Sequence, residues 1–230
     1  MTRSETDSMG DVAVPQAAMY GAQTQRALNN FKISELCLPE VFIMALAQIK
    51  KAAAQTNADL DLLDAKLANA ISQAVDEISQ HKHVDQFPID VFQTGSGTSS
   101  NMNINEVIVG ICRANFGLEL HPNDHVNLGQ SSNDVIPTAI QVSSLLQLQN
   151  QLIPAFKGLI KVVDAKSDEL KSVIKTGRTH LMDAMPLTFG QELSGWASQL
   201  SSGVNRLEEF MFSMTALAQG GTAVGTGVNT

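Results

Sequence analysis

The chain has 230 residues, of which 43% are hydrophobic and 17% charged, and its net charge at pH 7 is -8. This length provides a core for one large domain or two modest ones. The negative charge and the lack of a local basic cluster argue against nucleic-acid binding, which needs excess Lys and Arg to displace counterions. No apolar run approaches the roughly 18 residues of a membrane span, and residues 1–7 carry no signal-peptide core.

We therefore expect a cytoplasmic protein that binds neither nucleic acid nor membranes. Its two cysteines, Cys37 and Cys112, lie outside any C-x-x-C pair. With no other sign of secretion, both are expected to be reduced thiols.

The N-terminal part of the chain is expected to change from irregular to helical structure. Residues 1–38 are punctuated by glycine and proline, with a short extended piece possible around Val12 and Val14. Apolar residues of helical period then predict helices over about residues 40–57 and 61–81.

Longer helical patterns follow. One helix is predicted to start in the polar segment 93–103 and to stop near residues 115–117, where Gly117 ends it. A second pattern covers about residues 133–170; it tolerates a proline in its first turn but should be kinked at Pro154.

A last helix is predicted over about residues 188–218, because Thr188 and Gln191 have the spacing of a capping box. Residues 220–227 are expected to form a flexible glycine loop. The sequence shows no internal repeat and no βαβ rhythm, so we expect a mainly α fold: a small mixed N-terminal domain followed by long helices of a bundle. Long helices bury little unless others pack along them, and a helical oligomer is therefore expected.

Three polar segments, residues 93–103, 121–134 and 175–180, are rich in hydroxyl and amide side chains. Single residues of these types are ordinary helix caps and turn formers, but here they occur in runs. Helix starts that converge offer N–H donors and positive dipole ends to an anion. The segments therefore suggest a site for a small carboxylate. They lack the Gly-Lys-Ser/Thr of a phosphate loop and the third glycine of a dinucleotide fingerprint.

Two regions contain histidines that could bind a metal or transfer protons. His121 and His125 have metal-ligand spacing with Asp124 beside them, but Pro122 indicates a turn and favours a hydrogen-bonded loop. His180 is either a hydrogen-bonded structural residue or an acid–base group, since an ordinary imidazole titrates near ~6.5. Spacing alone leaves these two interpretations of His180 open.

Taken together, these segments resemble the fumarase/aspartase superfamily and, more narrowly, the class II fumarate hydratases. The resemblance extends over essentially the whole chain. It is carried by residues 20–26, 94–103, 121–124, 131–134, 177–180, 186–192 and 220–227. Aspartases usually carry Gln where this chain has His180, and Asn and Thr where it has His121 and Ser132, so these positions favour a fumarase.

The resemblance implies reversible hydration of fumarate to L-malate without a metal or other cofactor, as in the tricarboxylic acid cycle. The residue that matches His180 takes part in proton transfer or activates the water. The residues implied to bind substrate match Ser96, Thr98, Ser131, Ser132, Asn133 and Thr179. A second anion site is implied by the match to His121, Asn123 and Asp124.

The resemblance also implies that this chain is shorter than the proteins it resembles. Family members are about twice this length, and their flexible Gly-Ser-Ser-x-Met-Pro-x-Lys-x-Asn-Pro loop, which supplies the serine implicated as base, does not occur here. The chain is expected to be the N-terminal half: residues 1–130 an N-terminal lyase domain, residues 131–230 the first part of a central helical bundle. The family forms homotetramers whose sites draw on three subunits. We therefore expect little or no activity from this chain alone.

Two other functions stay open on the sequence. The chain could belong to an aspartase or another sibling lyase, which ammonia release would distinguish from malate turnover. It could also be a non-catalytic helical oligomerisation module.

Overall fold

A computed structural model describes all 230 residues of the chain. It contains two compact units: unit 1 comprises Met1–Ser143 with Leu217–Thr230, and unit 2 comprises Ser144–Ala216. Helices dominate both, and the only sheets are two antiparallel hairpins, so the predicted mainly α fold is confirmed. The division into domains at residue 130 stays a prediction. None of the helices is long and apolar enough to cross a membrane.

Unit 1 begins with a hairpin of strands β1 (Thr2–Asp7) and β2 (Gly10–Pro15), in which Thr2 pairs with Pro15 and Asp7 with Gly10. The extended piece expected around Val12 and Val14 is part of β2. The expectation of irregular structure was wrong for residues 2–7 and 22–30, which form a strand and a helix, and is confirmed for residues 31–38, where the structure has only an isolated bridge at Cys37. The half-buried residues of β1 are polar, so the strand shows no apolar alternation. One of them, Arg3, donates to the backbone carbonyls of residues 15, 16, 18 and 20.

Helix α1 (Ala22–Asn30) was also missed, because it is capped from far along the chain. The buried carboxylate of Glu106 accepts hydrogen bonds from the backbone N–H groups of Gly21, Gln23 and Thr24, and from the Thr24 hydroxyl. A carboxylate at a helix N-terminus satisfies donors that the helix cannot satisfy itself.

The core of unit 1 is built by helices α2 (Glu40–Asp59), α3 (Ala65–Ser79) and α4 (Thr98–Phe116). The predicted start of α3 at residue 61 was four residues early, because Asp64 caps the helix by accepting from Lys66 N and Leu67 N. A short 3-10 turn (Val84–Gln86) lies between α3 and α4, and a π-helical turn (Pro122–Val126) follows α4. The largest fully buried apolar side chains are Leu46, Ile71, Ile104, Ile108 and Ile111.

Both cysteines are free thiols, as predicted. Cys37 is exposed, whereas Cys112 lies in the core cluster. Burial raises the pKa of the Cys112 thiol to about 12, which keeps it in the unreactive protonated form.

The long pattern predicted over residues 133–170 consists of α5 (Ser132–Gln147), a π-helical turn (Leu148–Leu152) and α6 (Ile153–Glu169). Pro137 lies inside α5, and Pro154 lies in the first turn of α6. The disturbance predicted at Pro154 therefore takes the form of a π-helical turn just before it.

Unit 2 contains a second hairpin that the sequence did not predict, formed by β3 (Ile174–Thr179) and β4 (Met182–Thr188). Helix α7 (Phe189–Ser213) follows, and its predicted capping box is confirmed. Gln191 N donates to Thr188 Oγ1 over 3.0 Å, and Thr188 N donates to Gln191 Oε1 over 2.9 Å. The helix ends five residues before the predicted position 218.

Candidate functional site

The beginnings of two helices meet in unit 1 through their hydroxyl groups. Helix α4 starts at Thr98 and helix α5 at Ser132, and their side-chain oxygens lie 2.9 Å apart. Ser96 Oγ lies 2.9 Å from Thr98 Oγ1 on the other side. Three of the predicted substrate-binding residues thus form one chain of hydroxyl groups, although they come from segments more than 30 residues apart.

Gly97 allows this approach. It precedes α4 in the left-handed region with φ of 66°, and a Cβ there would lie 3.0 Å from the Ile136 side chain. Only glycine adopts such a conformation without a steric cost. The turn before Thr98 therefore depends on this residue.

The backbone donors expected at these helix starts are already used in part. Ser99 N donates to Thr94 Oγ1, and Ser100 N donates to Gln93 Oε1. In the same way, Asn133 N donates to Ser131 Oγ. The donors that the site offers to a ligand are therefore mainly side-chain hydroxyls and amides, aided by the helix dipoles.

The glycine-rich segment 220–227 is attached to the start of α5. The buried carboxylate of Asp134 accepts from Ser131 N, Gly220 N and Thr222 N, over 2.9, 3.1 and 2.9 Å. Asn133 Nδ2 donates to Ala223 O over 2.8 Å. The predicted loop is thus a series of turns hydrogen-bonded to the candidate site.

A buried lysine lies close to this site, and the sequence analysis missed it. Lys50 of α2 is completely buried, and its Nζ donates to Asn127 Oδ1 over 2.7 Å and to Gln130 Oε1 over 3.0 Å. Burial lowers the pKa of Lys50 to about 7, although the negative charge of Asp134 opposes the shift. Helical spacing could have indicated that Lys50 is buried, since it lies four residues from both Leu46 and Ala54 on the buried face of α2.

The residues predicted to form a second anion site lie in the π-helical turn Pro122–Val126 and beside it. His121 Nδ1 accepts from Asp124 N over 3.1 Å, and His121 N donates to His125 Nδ1 over 2.9 Å. This is the hydrogen-bonded loop that Pro122 indicated. Asn123 is exposed and, with His121, lines a pocket of about 440 Å³.

The remaining predicted site residues, Thr179 and His180, lie in unit 2. Thr179 pairs with Met182, so His180 and Leu181 form the two-residue tip of the β3–β4 hairpin. Both tip residues are exposed and have positive φ, 46° and 61°. Turns of this kind favour Asn or Gly, and other residues there cost on the order of 1–3 kcal/mol each. The imidazole has no hydrogen-bond partner within the chain, so the structural interpretation of His180 finds no support.

Comparison with known proteins identifies the family of this chain. The sequence profile of a family described as Lyase matches residues 10–230. The chain belongs to this lyase family. Its relatives include the class II fumarate hydratase of Xylella fastidiosa (strain Temecula1), 54% identical over 229 residues, which cover 99% of this chain and 48% of the relative. The class II fumarate hydratase of Halobacterium salinarum is 53% identical over 233 residues, with 99% and 50% covered.

Solved structures of related proteins share the fold of this lyase chain. The class II fumarase from Schistosoma mansoni matches with a TM-score of 0.96 at 43% identity, covering 100% of this chain and 50% of that one. The fumarate lyase:delta crystallin from Brucella melitensis bound to cobalt matches at 0.95 and 44%, covering 100% and 51%. The resemblance to class II fumarate hydratases is confirmed, and the chain spans about half the length of the relatives it matches.

Proposed function

We propose that this lyase chain supplies the carboxylate-binding part of a fumarate hydratase, which hydrates fumarate reversibly to L-malate. The observation that carries the proposal is the contact between Thr98 and Ser132, which joins the starts of two helices through neutral donors. The names of the relatives, class II fumarate hydratases, support the same reaction. Ser96, Ser131 and Asn133 complete the proposed substrate-binding set in unit 1.

The chemistry of the reaction suits such donors. Removing a proton from the carbon beside a carboxylate places further negative charge on that carboxylate in the transition state. Fixed hydroxyl and amide donors stabilise this growing charge more than they stabilise the ground-state dianion. A cluster of hydroxyls such as Thr98 and Ser132 therefore favours the transition state without a full positive charge.

We assign Thr179 and His180 to the same reaction. Thr179 would donate to the substrate, and His180 would transfer a proton or activate water. The exposed, partner-free imidazole at a strained hairpin tip suits a residue that completes a site in another copy of the chain. We therefore propose a homotetramer, a cytoplasmic protein of the tricarboxylic acid cycle without metal or cofactor, and a second anion site at His121, Asn123 and Asp124.

Complementation tests the proposed reaction. The 230-residue chain, co-expressed with the C-terminal half of the Xylella fastidiosa relative, is expected to convert fumarate to malate, and to show little activity without it. Thr98→Ala should lower the rate by about 10²–10³, the usual cost of one lost transition-state donor. Thr6→Ala is the matched control, because the Thr6 hydroxyl binds Asp11 in the hairpin instead. Addition of ammonia to fumarate, or full activity of Thr98→Ala, would contradict the proposal.

A further inference from the structure

Lys50 occupies an unusual position for a charged side chain. Its ammonium group is completely buried, and its two hydrogen-bond acceptors are neutral amide oxygens of Asn127 and Gln130. A buried lysine without a direct carboxylate partner is costly. The proposed substrate-binding set does not include it.

The acceptors of Lys50 connect it to both helix starts, α4 and α5, that form the hydroxyl cluster of Ser96, Thr98 and Ser132. Asn127 Oδ1 also accepts from Asn101 Nδ2 and Asn105 Nδ2 of α4, over 3.1 and 3.3 Å. Asn101 lies one turn after Thr98 on that helix.

The second acceptor, Gln130, directly precedes Ser131 and is itself fixed. Its Nε2 donates to the carbonyls of Val126 and Leu128, and its own carbonyl accepts from Asn127 Nδ2. One amine therefore connects α2, the start of α4 and the segment that leads into α5.

We propose that Lys50 is a positioning residue, whose buried amine holds Asn127 and Gln130 and thereby sets the spacing between Thr98 and the Ser131–Asn133 segment. It acts through these amides and not by contact with a ligand. The consequence for ligand binding rests on the proposed function, whereas the positioning itself does not.

The charged groups on the elements around Lys50 are mostly committed to other partners. On α2 itself, Lys51 pairs with Asp76 of α3. On α4, Glu106 caps α1. Three further pairs on these elements join Glu40 and His81, Glu77 and His83, and Arg113 and Glu119. Asp59 of α2 and Lys66 of α3 are exposed, and His121 Nδ1 accepts from Asp124 N.

Asp134 of α5 is the charged group whose field acts on Lys50, and it favours the protonated amine. Because burial brings the pKa of Lys50 to about 7, the amine changes its charge around neutral pH. Protonation supplies a positive charge near the hydroxyl cluster, and deprotonation removes it. A dianion at the cluster should therefore bind more tightly to the protonated form.

Nuclear magnetic resonance tests the positioning without any ligand. In the wild-type chain, the side-chain amides of Asn127 and Gln130 and the backbone amides of Thr98 and Ser132 should titrate together, with a midpoint near the Lys50 pKa of about 7. Lys50→Met should abolish this titration and shift the same four signals. Lys51→Met, which removes the neighbouring lysine, should leave it intact. The proposal would be overturned if Lys50→Met left the Thr98 and Ser132 signals where they lie in the wild-type chain and in Lys51→Met.

Binding of succinate, a stable dicarboxylate, tests the consequence. Lys50→Met should weaken binding at both pH 6 and pH 9, because Asn127 and Gln130 lose their donor at either value. The loss should be about tenfold or more at pH 6, where a charged group is removed as well, and smaller at pH 9. Unchanged binding at both pH values would contradict the proposal. This binding is measured with the C-terminal half of the Xylella fastidiosa relative present, because the proposed site is incomplete without it. If neither protein then binds succinate while Lys50→Met still shifts the Thr98 and Ser132 signals, the proposed function is wrong and the positioning role of Lys50 is supported.

Discussion

The two units bury their side chains to very different extents. Unit 1 encloses large apolar residues such as Leu46 and Ile104, together with polar groups such as Lys50 and Asp134. In unit 2, two of the buried positions are glycines that have no side chain to pack. The buried residues of unit 2 are Ile153, Gly177, Gly190, Ala197 and Val204.

Unit 2 instead exposes apolar side chains along its helices. Val162 of α6 and Trp196, Phe210 and Phe212 of α7 are all more than half exposed. Apolar surface of this kind marks an interaction site in a stable protein. The comparison suggests that unit 1 is stabilised by its own core, whereas unit 2 depends on further apolar cover, as a helical oligomer would provide.

A matched pair of leucines gives the largest expected difference. Leu46→Ala in α2 removes a completely buried side chain and should lower the free energy of unfolding by about 2–5 kcal/mol. Leu159→Ala in α6 removes a side chain that is 47% exposed and should cost less than about 1 kcal/mol. Urea unfolding followed by circular dichroism measures both. Equal losses would mean that the units do not differ in this way.

The parts of the fold that could be predicted are those whose determinants are local. Helices α2 and α4 carry their own apolar period, and α7 carries its capping box within four consecutive residues, from Thr188 to Gln191. The missed elements depend on distant partners. Helix α1 is capped by Glu106, more than 80 residues away, and β1 is held by Arg3, which donates to carbonyls beyond β2.

The candidate site likewise has a part that the sequence predicts and a part that it does not. The convergence of Ser96, Thr98 and Ser132 could be predicted, because each lies at a helix start and residue types favoured as caps are visible in the sequence. Lys50 could not be predicted as part of it, since its partners are 77 and 80 residues further along the chain. A lysine in a helical pattern is ordinarily solvated, and only tertiary packing encloses this one.

The pH dependence of stability is the next expected difference between the units, because Lys50 belongs to unit 1. Its pKa in the folded chain, about 7, lies below the ordinary 10.5. Between these values the unfolded chain binds more protons, so the free energy of unfolding should rise with pH, by about 2 kcal/mol from pH 7 to pH 9. Lys50→Met should lack this rise, and Lys51→Met should retain it. Urea unfolding at several pH values checks the prediction, and the same rise in all three proteins would exclude Lys50 as its source.

The smallest expected effect on stability comes from the exposed face of unit 2. Trp196 is 53% exposed on α7, so Trp196→Ser should change the free energy of unfolding of the isolated chain by no more than about 0.5 kcal/mol. Its effect on self-association should be large, because buried aromatic side chains dominate the energetics of protein interfaces. Sedimentation velocity should show assemblies of the wild-type chain that dissociate in the variant. Asn205→Ser, an exposed polar position about two and a half turns further along and therefore on the opposite side of the same helix, is the matched control and should leave them intact. If Trp196→Ser assembles as the wild type does, the apolar face of unit 2 is not the contact between copies, and the contrast between the two units reflects stability alone.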